Sequence, residues 1–385
     1  MKSIYKPLYN KKHIILCFAH ANTLGLIRSI GKEGFKPIVV GLRCSTKNKA
    51  IYKSRYISEL YLVDSYEEGI DFIVDKYAEA SKNFLYLMSD AGVVICEKRH
   101  EELKKYFYFF NSGSTNILSS CMDKEFLCKL AEKYNLPTPS TEIVKRGELP
   151  IKLTYPIFIK SRNPFNGWKV DVAICNNSSE VLEKYNSFIA DEWIMQNFIK
   201  KKAEISLQGI SINGGNDIYM PYIKKYIRLR DTDYGTYMCY YKNNLNNEIL
   251  SNICKYIKYL DYSGCFEIEF LQDYNDKLYF LEVNFRFSAS NQGMYLGGVN
   301  LPLEWALAEL TGEIRNNIEL RDDKFYVMNE FLDIHNIFIK KISFSHWVKD
   351  FIKSYKYIFD SKDIVPMLYT LTFTIKDKIK RVLNQ

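Results

Sequence analysis

Cys265-Phe266-Glu267-Ile268-Glu269-Phe270-Leu271 is followed, across the turn Gln272-Asp273-Tyr274-Asn275-Asp276, by Lys277-Leu278-Tyr279-Phe280-Leu281-Glu282-Val283 and then Asn284-Phe285-Arg286. Two apolar runs on either side of a turn-forming cluster predict an antiparallel hairpin. Side chains alternate faces along a strand, so Glu267 and Glu269 point one way while Glu282, Asn284 and Arg286 share a face of the second strand. Pairing can bring those faces together. Two acids and a carboxamide are hard oxygen ligands that suit Mg²⁺, which completes its shell with water and phosphate oxygens. Arg286 can then hold a phosphate or stabilise charge on a transferring phosphoryl group. An ordinary hairpin with a solvated charged face satisfies the same spacing. Both strands are, however, apolar enough to be central, and there unpaired acids are costly or protonated unless a cation neutralises them.

Upstream, residues 13–18 read as an apolar strand, 21–33 as a helix and 37–40 as a second strand; 61–63, 67–79 and 84–88 repeat the pattern. Alternating strand and helix predict a parallel sheet. The first loop, Ala19-His20-Ala21-Asn22-Thr23-Leu24-Gly25, lacks the glycine spacing of a dinucleotide site, so this unit is read as a structural sheet holding at most part of a substrate site. Asp123 can cap a helix over 123–134, which the prolines of Asn135-Leu136-Pro137-Thr138-Pro139 end. Strands over 155–160, 192–199 and 203–212 and a helix over 180–189 make a β-rich mixed region. The expected fold class is α/β and α+β, divided into 1–118 (N-terminal α/β), 119–195 (lid), 196–312 (body carrying the hairpin) and 313–385 (a mostly helical extension). Within the last, 341–354 reads as an aromatic-bearing helix, and 373–383 as a basic segment with apolar residues at helical spacing. That tail suits a membrane surface or a partner, or simply packs on the body with its lysines in water.

A chain of 385 residues, 47% hydrophobic and 25% charged, is long enough for two or three folded domains. Its net charge of +8 is spread out and favours an anionic partner, but no base-reading module or basic stripe is present, so nucleic acid is not expected. Nine cysteines, an odd number in mostly apolar contexts without a secretory leader, read as reduced thiols of a cytoplasmic protein. Cys265 has no evident histidine partner and reads as a buried structural thiol. No window is long and apolar enough for a membrane span.

With these stretches in order, the chain resembles the ATP-grasp superfamily, specifically carboxylate–amine ligases of the carbamoyl-phosphate-synthase-like fold associated with cell-surface polysaccharide or peptide modification. The likeness runs over about residues 13–312 and rests on the helix opening Asp123-Lys124-Glu125-Phe126, then Tyr155-Pro156-Ile157-Phe158-Ile159-Lys160, then Ile194-Met195-Gln196-Asn197-Phe198-Ile199, and the hairpin. It implies an ATP-grasp fold preceded by a parallel-sheet domain. It also implies that Lys124 and Lys160 contact nucleotide phosphates, that the backbone of Gln196, Asn197, Phe198 and Ile199 holds adenine, and that Glu204 receives the ribose hydroxyls. Glu269, Glu282 and Asn284 would coordinate Mg²⁺, with Mn²⁺ as a substitute, and Arg286 would face the phosphoryl group.

Two stretches stand apart from the family pattern or extend it. The loop Ser161-Arg162-Asn163-Pro164-Phe165-Asn166-Gly167-Trp168-Lys169 has one glycine where relatives often have several, which alters its phosphate grip unless Arg162 compensates. The basic strand Lys224-Lys225-Tyr226-Ile227-Arg228-Leu229-Arg230 offers Arg228 or Arg230 for a substrate carboxylate or acyl phosphate, Arg230 being the candidate catalytic residue alongside Arg286. A solvated basic edge strand is the plain alternative. The function expected is amide formation from small-molecule carboxylate and amine substrates through an acyl phosphate, with ADP released; a small-molecule kinase and a non-catalytic nucleotide-binding regulator are the rivals. A glycan-synthesis or inner-membrane contact through the basic tail, and a homodimer, complete the expected partners.

Overall fold

The computed structural model describes residues 3–44, 47–162, 171–229, 236–243, 247–320 and 324–373. Strands β1 (His13–Cys17), β2 (Ile38–Leu42), β3 (Glu59–Val63), β4 (Asn83–Leu87) and β5 (Phe107–Phe109) form a sheet in the order β3-β2-β1-β4-β5, with every neighbouring pair parallel. The continuous apolar runs of β1 and β4 fit this place, because a central parallel strand is covered on both faces. Helices Ala21–Gly31, Tyr66–Tyr77 and Asp90–Lys98 return the chain. The last two are capped by Ser65 and Ser89, whose side chains accept from Glu68 N and Gly92 N.

A two-residue strand, β6 (Asn111–Ser112), leaves this sheet and pairs with Tyr262–Ser263 of the main sheet, tying the first domain to the third. Strands β7 (Thr141–Lys145), β8 (Ile157–Ser161), β9 (Val172–Cys175) and β10 (Glu192–Asn197) make an antiparallel sheet in the order β7-β10-β8-β9. Its own small core gathers Val144, Ile157, Ile159, Trp193 and Met195. Asp171, fully buried there, accepts from Ile189 N, Ala190 N and Trp193 Nε1, which is how its charge is accommodated. The helix Lys124–Lys133 belongs to the larger core instead, through Leu127, Leu130 and Ala131.

The main sheet contains β11 (Lys201–Ile212), β12 (Asp217–Tyr219), β13 (Ile223–Leu229), β14 (Thr236–Lys242), β15 (Tyr262–Asp273), β16 (Leu278–Asn284), β17 (Lys324–Met328) and β18 (Ser354–Lys356), in the order β16-β15-β11-β13-β14-β17-β18 with β12 beside β11. Helices Asn247–Tyr259 and Leu301–Thr311 pack on it, and Trp305 sets its indole edge-on against Phe84, Tyr86 and Phe110, so the first and third units share one core.

The extension beyond residue 312 is more than helical, since it adds β17 and β18 to the main sheet. Two arginines, the buried Arg28 and the half-buried Arg228, pin it. Arg28 donates to Asp363 (Nε to Oδ2, 2.9 Å), and Arg228 donates to Asp333 (Nε to Oδ1, 2.8 Å; Nη2 to Oδ2, 2.6 Å) and to Asp350 (2.5 Å). Among the described residues no helix is long and apolar enough to cross a membrane. The tail from residue 374 lies outside the described residues.

Candidate active site

The hairpin forms as its alternation predicts. β15 and β16 pair with Glu269 opposite Glu282 and Glu267 opposite Asn284. Extending the row sideways, Ser206 of β11 lies opposite Glu269, and Lys224 of β13 lies opposite Ser206. Lys224, Ser206, Glu269 and Glu282 therefore form one cross-strand row over four strands.

Glu267 is satisfied by the protein: its Oε1 accepts from Ser206 Oγ at 2.9 Å and from Ser290 Oγ. Glu269 is not so provided for. Burial, then the charges of Glu282 and Glu267, push its carboxyl well above the usual range. Two facing acids with that repulsion are a chemical fit for a divalent cation, whose charge would offset it. Among the described residues no three His, Cys, Asp or Glu side chains are gathered as a metal cage. Two acids and a carboxamide are the side chains here that could hold such a cation, with water and phosphate oxygens supplying the rest of its ligands. Asn284 turns Nδ2 towards Glu269 and Glu282, each at 3.5 Å, while its Oδ1 accepts from Arg286 Nη2 at 3.0 Å. Serving as a ligand requires the amide turned over, oxygen towards the acids.

Arg286 also donates from Nε to Asp90 Oδ2 at 2.9 Å. Asp90 opens the helix after β4, so this bond joins the parallel-sheet domain to the hairpin; its other oxygen is buried without a hydrogen-bond partner among the described residues.

Two lysines reach the same place from other elements. Lys124 is the first residue of the helix capped by Asp123, whose Oδ1 accepts from Glu125 N at 2.8 Å. Burial lowers its pKa and the Glu282 carboxylate works against that. Lys160 sits near the end of β8, opposite Ile194, and is pushed down to about 8, first by burial and then by the charge of Lys124. Lid, helix and hairpin thus converge on one electrostatic neighbourhood. Glu204, on β11 opposite Leu271, accepts from Lys201 Nζ at 2.5 Å and lies near enough to add to the repulsion on Glu269.

Gln196 and Asn197 end β10, and Phe198 and Ile199 carry the chain across to β11. Gln196 is buried, its Nε2 donating to Thr141 Oγ1 at 2.8 Å; Asn197 Oδ1 accepts from Thr154 N at 3.0 Å, and Phe198 N donates to Pro156 O at 3.0 Å. This stretch is the passage between the small and large sheets.

Arg230 and loop residues 163–170 lie outside the described residues. Arg162, at the loop's edge, is already held by acids: Nη2 donates to Asp123 (3.3 Å) and Glu125 (3.1 Å), and Nη1 to Glu192 (3.1 Å). Arg228 is likewise committed to Asp333 and Asp350, so it is an anchor of the extension, not a group facing substrate. The pairing of β13 with β14 is irregular on both sides of Arg228. The cation that this strand does send into the site is Lys224, 3% exposed, with Nζ donating to Tyr226 OH at 3.0 Å. Burial favours its neutral form, but Tyr241, Glu267 and Glu269 among its neighbours outweigh that and hold it charged.

Residues 123–294 match the family model of the carbamoyl-phosphate synthase L chain ATP binding domain. No curated protein matches the chain in sequence. Among solved structures it is similar to N5-carboxyaminoimidazole synthetase from Staphylococcus aureus (18% identity, 88% of each chain covered, TM-score 0.64) and to L-amino acid ligase from Bacillus licheniformis (15% identity, 80% of this chain and 78% of that, TM-score 0.60). It is also similar to the biotin carboxylase domain of 2-oxoglutarate carboxylase from Hydrogenobacter thermophilus, solved with Mg-ADP and bicarbonate (16% identity, 81% and 73%, TM-score 0.59). The chain therefore has the ATP-grasp fold, and its residues 123–294 are similar to the ATP binding domain of the carbamoyl-phosphate synthase L chain.

Proposed function

We propose that the protein is an ATP-dependent carboxylate–amine ligase that forms an amide through an acyl phosphate and releases ADP and phosphate. The observation that supports this most is the cross-strand row ending in the facing acids Glu269 and Glu282, beside Lys124, Lys160 and Arg286. Lys124 and Lys160 neutralise the polyphosphate as point charges. Glu269, Glu282 and a turned Asn284 would hold Mg²⁺, or Mn²⁺ in its place, which supplies charge neutralisation between nucleotide phosphates. The Gln196–Ile199 passage receives adenine along its backbone and Glu204 the ribose. Arg286, oriented by Asp90, faces the phosphoryl group in flight, and the buried Lys224 offers a fixed positive charge to the carboxylate that attacks it. Carboxylate oxygen is a poor leaving group and the phosphate of an acyl phosphate, a mixed anhydride, is a good one, so phosphorylation followed by amine attack on the carbonyl is chemically economical, provided water is kept out. Suitable substrates are amino acids, peptides or uronic acids as carboxylates and amino acids or amino sugars as amines, including precursors of a cell-surface polysaccharide or peptide.

The test is mass spectrometry of products after incubation with Mg-ATP and pooled carboxylates and amines. A condensation product matched by ADP supports ligation. A phosphorylated acceptor that forms whatever amine is present would replace it with a kinase, and nucleotide binding without any turnover of the pools would replace it with a regulator.

A further inference from the structure

Residues 330–373 sort their charges by side. Every acid in the stretch, Glu330, Asp333, Asp350, Asp360 and Asp363, is buried. Each is engaged inward: Asp333 and Asp350 by Arg228, Asp363 by Arg28, Asp360 by Lys32, and Glu330 by the backbone N–H groups of Tyr357, Ile358 and Phe359. Of the lysines, Lys340, Lys341, Lys349, Lys353 and Lys362 are exposed, Lys353 while also pairing with Asp350 at 2.7 Å, and Lys356 is half-buried, donating to Phe351 O and Ser354 O.

Large apolar side chains share that outer surface. Phe338 is 77% exposed, Phe344 66% and Ile352 75%. In the helix Phe344–Lys353, a turn of about 100° per residue places Phe344, Val348 and Ile352 on one stripe, opposite Asp350. Asp350 faces inward to Arg228, so the stripe faces out. Lys340 and Lys341 sit in the turn between this helix and His335–Phe338, where the amides of Lys341 and Ile342 bond to Asn336 O and hold the turn closed. The result is a line of protruding apolar groups with lysines beside and between them and no exposed acid in the stretch.

This pairing of chemistries is that of a segment lying in a bilayer interface, with apolar groups at the acyl boundary and lysines level with the phosphates. A second copy of the chain is a poor occupant, because a two-fold contact sets the patch against itself and lysine would meet lysine. We propose that residues 334–353 form a docking surface for an anionic lipid bilayer. The surface is separate from the nucleotide site and stands or falls independently of the ligase reading.

The experiment is cosedimentation of the full-length chain with vesicles of phosphatidylcholine alone and with vesicles that also contain phosphatidylglycerol. The chain is expected to sediment only with the second, less so as salt is raised. The double variant Phe344→Ser/Ile352→Ser, and separately Lys340→Ser/Lys349→Ser, is expected to weaken that binding about tenfold or more. Both should melt as the parent does, because all four side chains are exposed. The proposal is overturned if the parent ignores the anionic vesicles, or if the Phe344/Ile352 variant binds them equally well, which would assign the contact to other residues. It is also overturned if the parent is a dimer that this variant disperses and that does not bind vesicles.

Discussion

At Lys160 the demands of folding and those of the proposed nucleotide site oppose each other. Its folded pKa, about 8, lies below that of an exposed lysine. The folded state therefore binds the proton less tightly than the unfolded one: below pH 8 the buried ammonium costs stability, up to about 3 kcal/mol by the size of the shift, and that cost is relieved as pH rises from about 8 to the unfolded value. Lys160→Met is accordingly expected to leave the nucleotide-free protein as stable or more stable at neutral pH while abolishing the rise in melting temperature on adding Mg-ATP; differential scanning calorimetry with and without nucleotide reads both. In the parent protein, ATP affinity should fall as pH rises through about 8, with a proton taken up on binding above that pH, which titration calorimetry in buffers of different ionisation enthalpy detects. Glu269 carries the opposite case. Its carboxyl is held well above the usual range by burial and by Glu282, so Glu269→Gln removes a repulsion and is expected not to destabilise the fold, yet to lower turnover by about a hundredfold or more. A variant as active as the parent would remove Glu269 from the chemistry.

Among the elements, those whose sequence carries a local signal were legible and those defined by distant partners were not. The β15–β16 hairpin, the helix at Lys124 and the strands β1, β4 and β8 each announce themselves by alternation, a cap or an apolar run, and with them came the facing acids and both lysines. Arg228 shows the limit. Alternation places it with Arg230, but its partners Asp333 and Asp350 lie more than a hundred residues on, and its pairing with β14 is irregular on both sides. β17 and β18 escaped for the same reason, as short runs whose strand character comes from the edge they join. Lys224 was passed over because nothing local marks a buried lysine; its role follows from the register across β13, β11 and β15. Removing an anchor should therefore act on stability. Arg228→Ala removes the ion pair of the buried Asp333, while Asp350 keeps Lys353, and is expected to cost about 3–5 kcal/mol in denaturant unfolding, with little change in the Michaelis constant for ATP. Arg162→Ala, which frees Asp123, Glu125 and Glu192 beside Lys124, should do the reverse: a roughly three- to tenfold rise in that constant with a small effect on stability.

For the molecule as a whole, two cores of unequal size imply two stabilities. The small sheet from β7 to β10 encloses few buried residues of its own, whereas the parallel-sheet domain and the main sheet share one large core. Amide hydrogen exchange should be faster in 141–197 than in β11 and β15, and Mg-ATP should slow it there most, because Lys160 and the Gln196–Ile199 passage are where the small sheet would meet nucleotide. Equal protection throughout, with and without nucleotide, would contradict a lid that closes over the substrate. The central claim is narrower: that a substrate carboxylate takes the phosphoryl group at the Glu269–Glu282 pair. Supplying the pooled carboxylates labelled with oxygen-18, together with amines and Mg-ATP, and weighing the phosphate released tests it most directly. Phosphate carrying one labelled oxygen, lost in Glu269→Gln, is the predicted result; unlabelled phosphate, or label appearing in AMP, would contradict it.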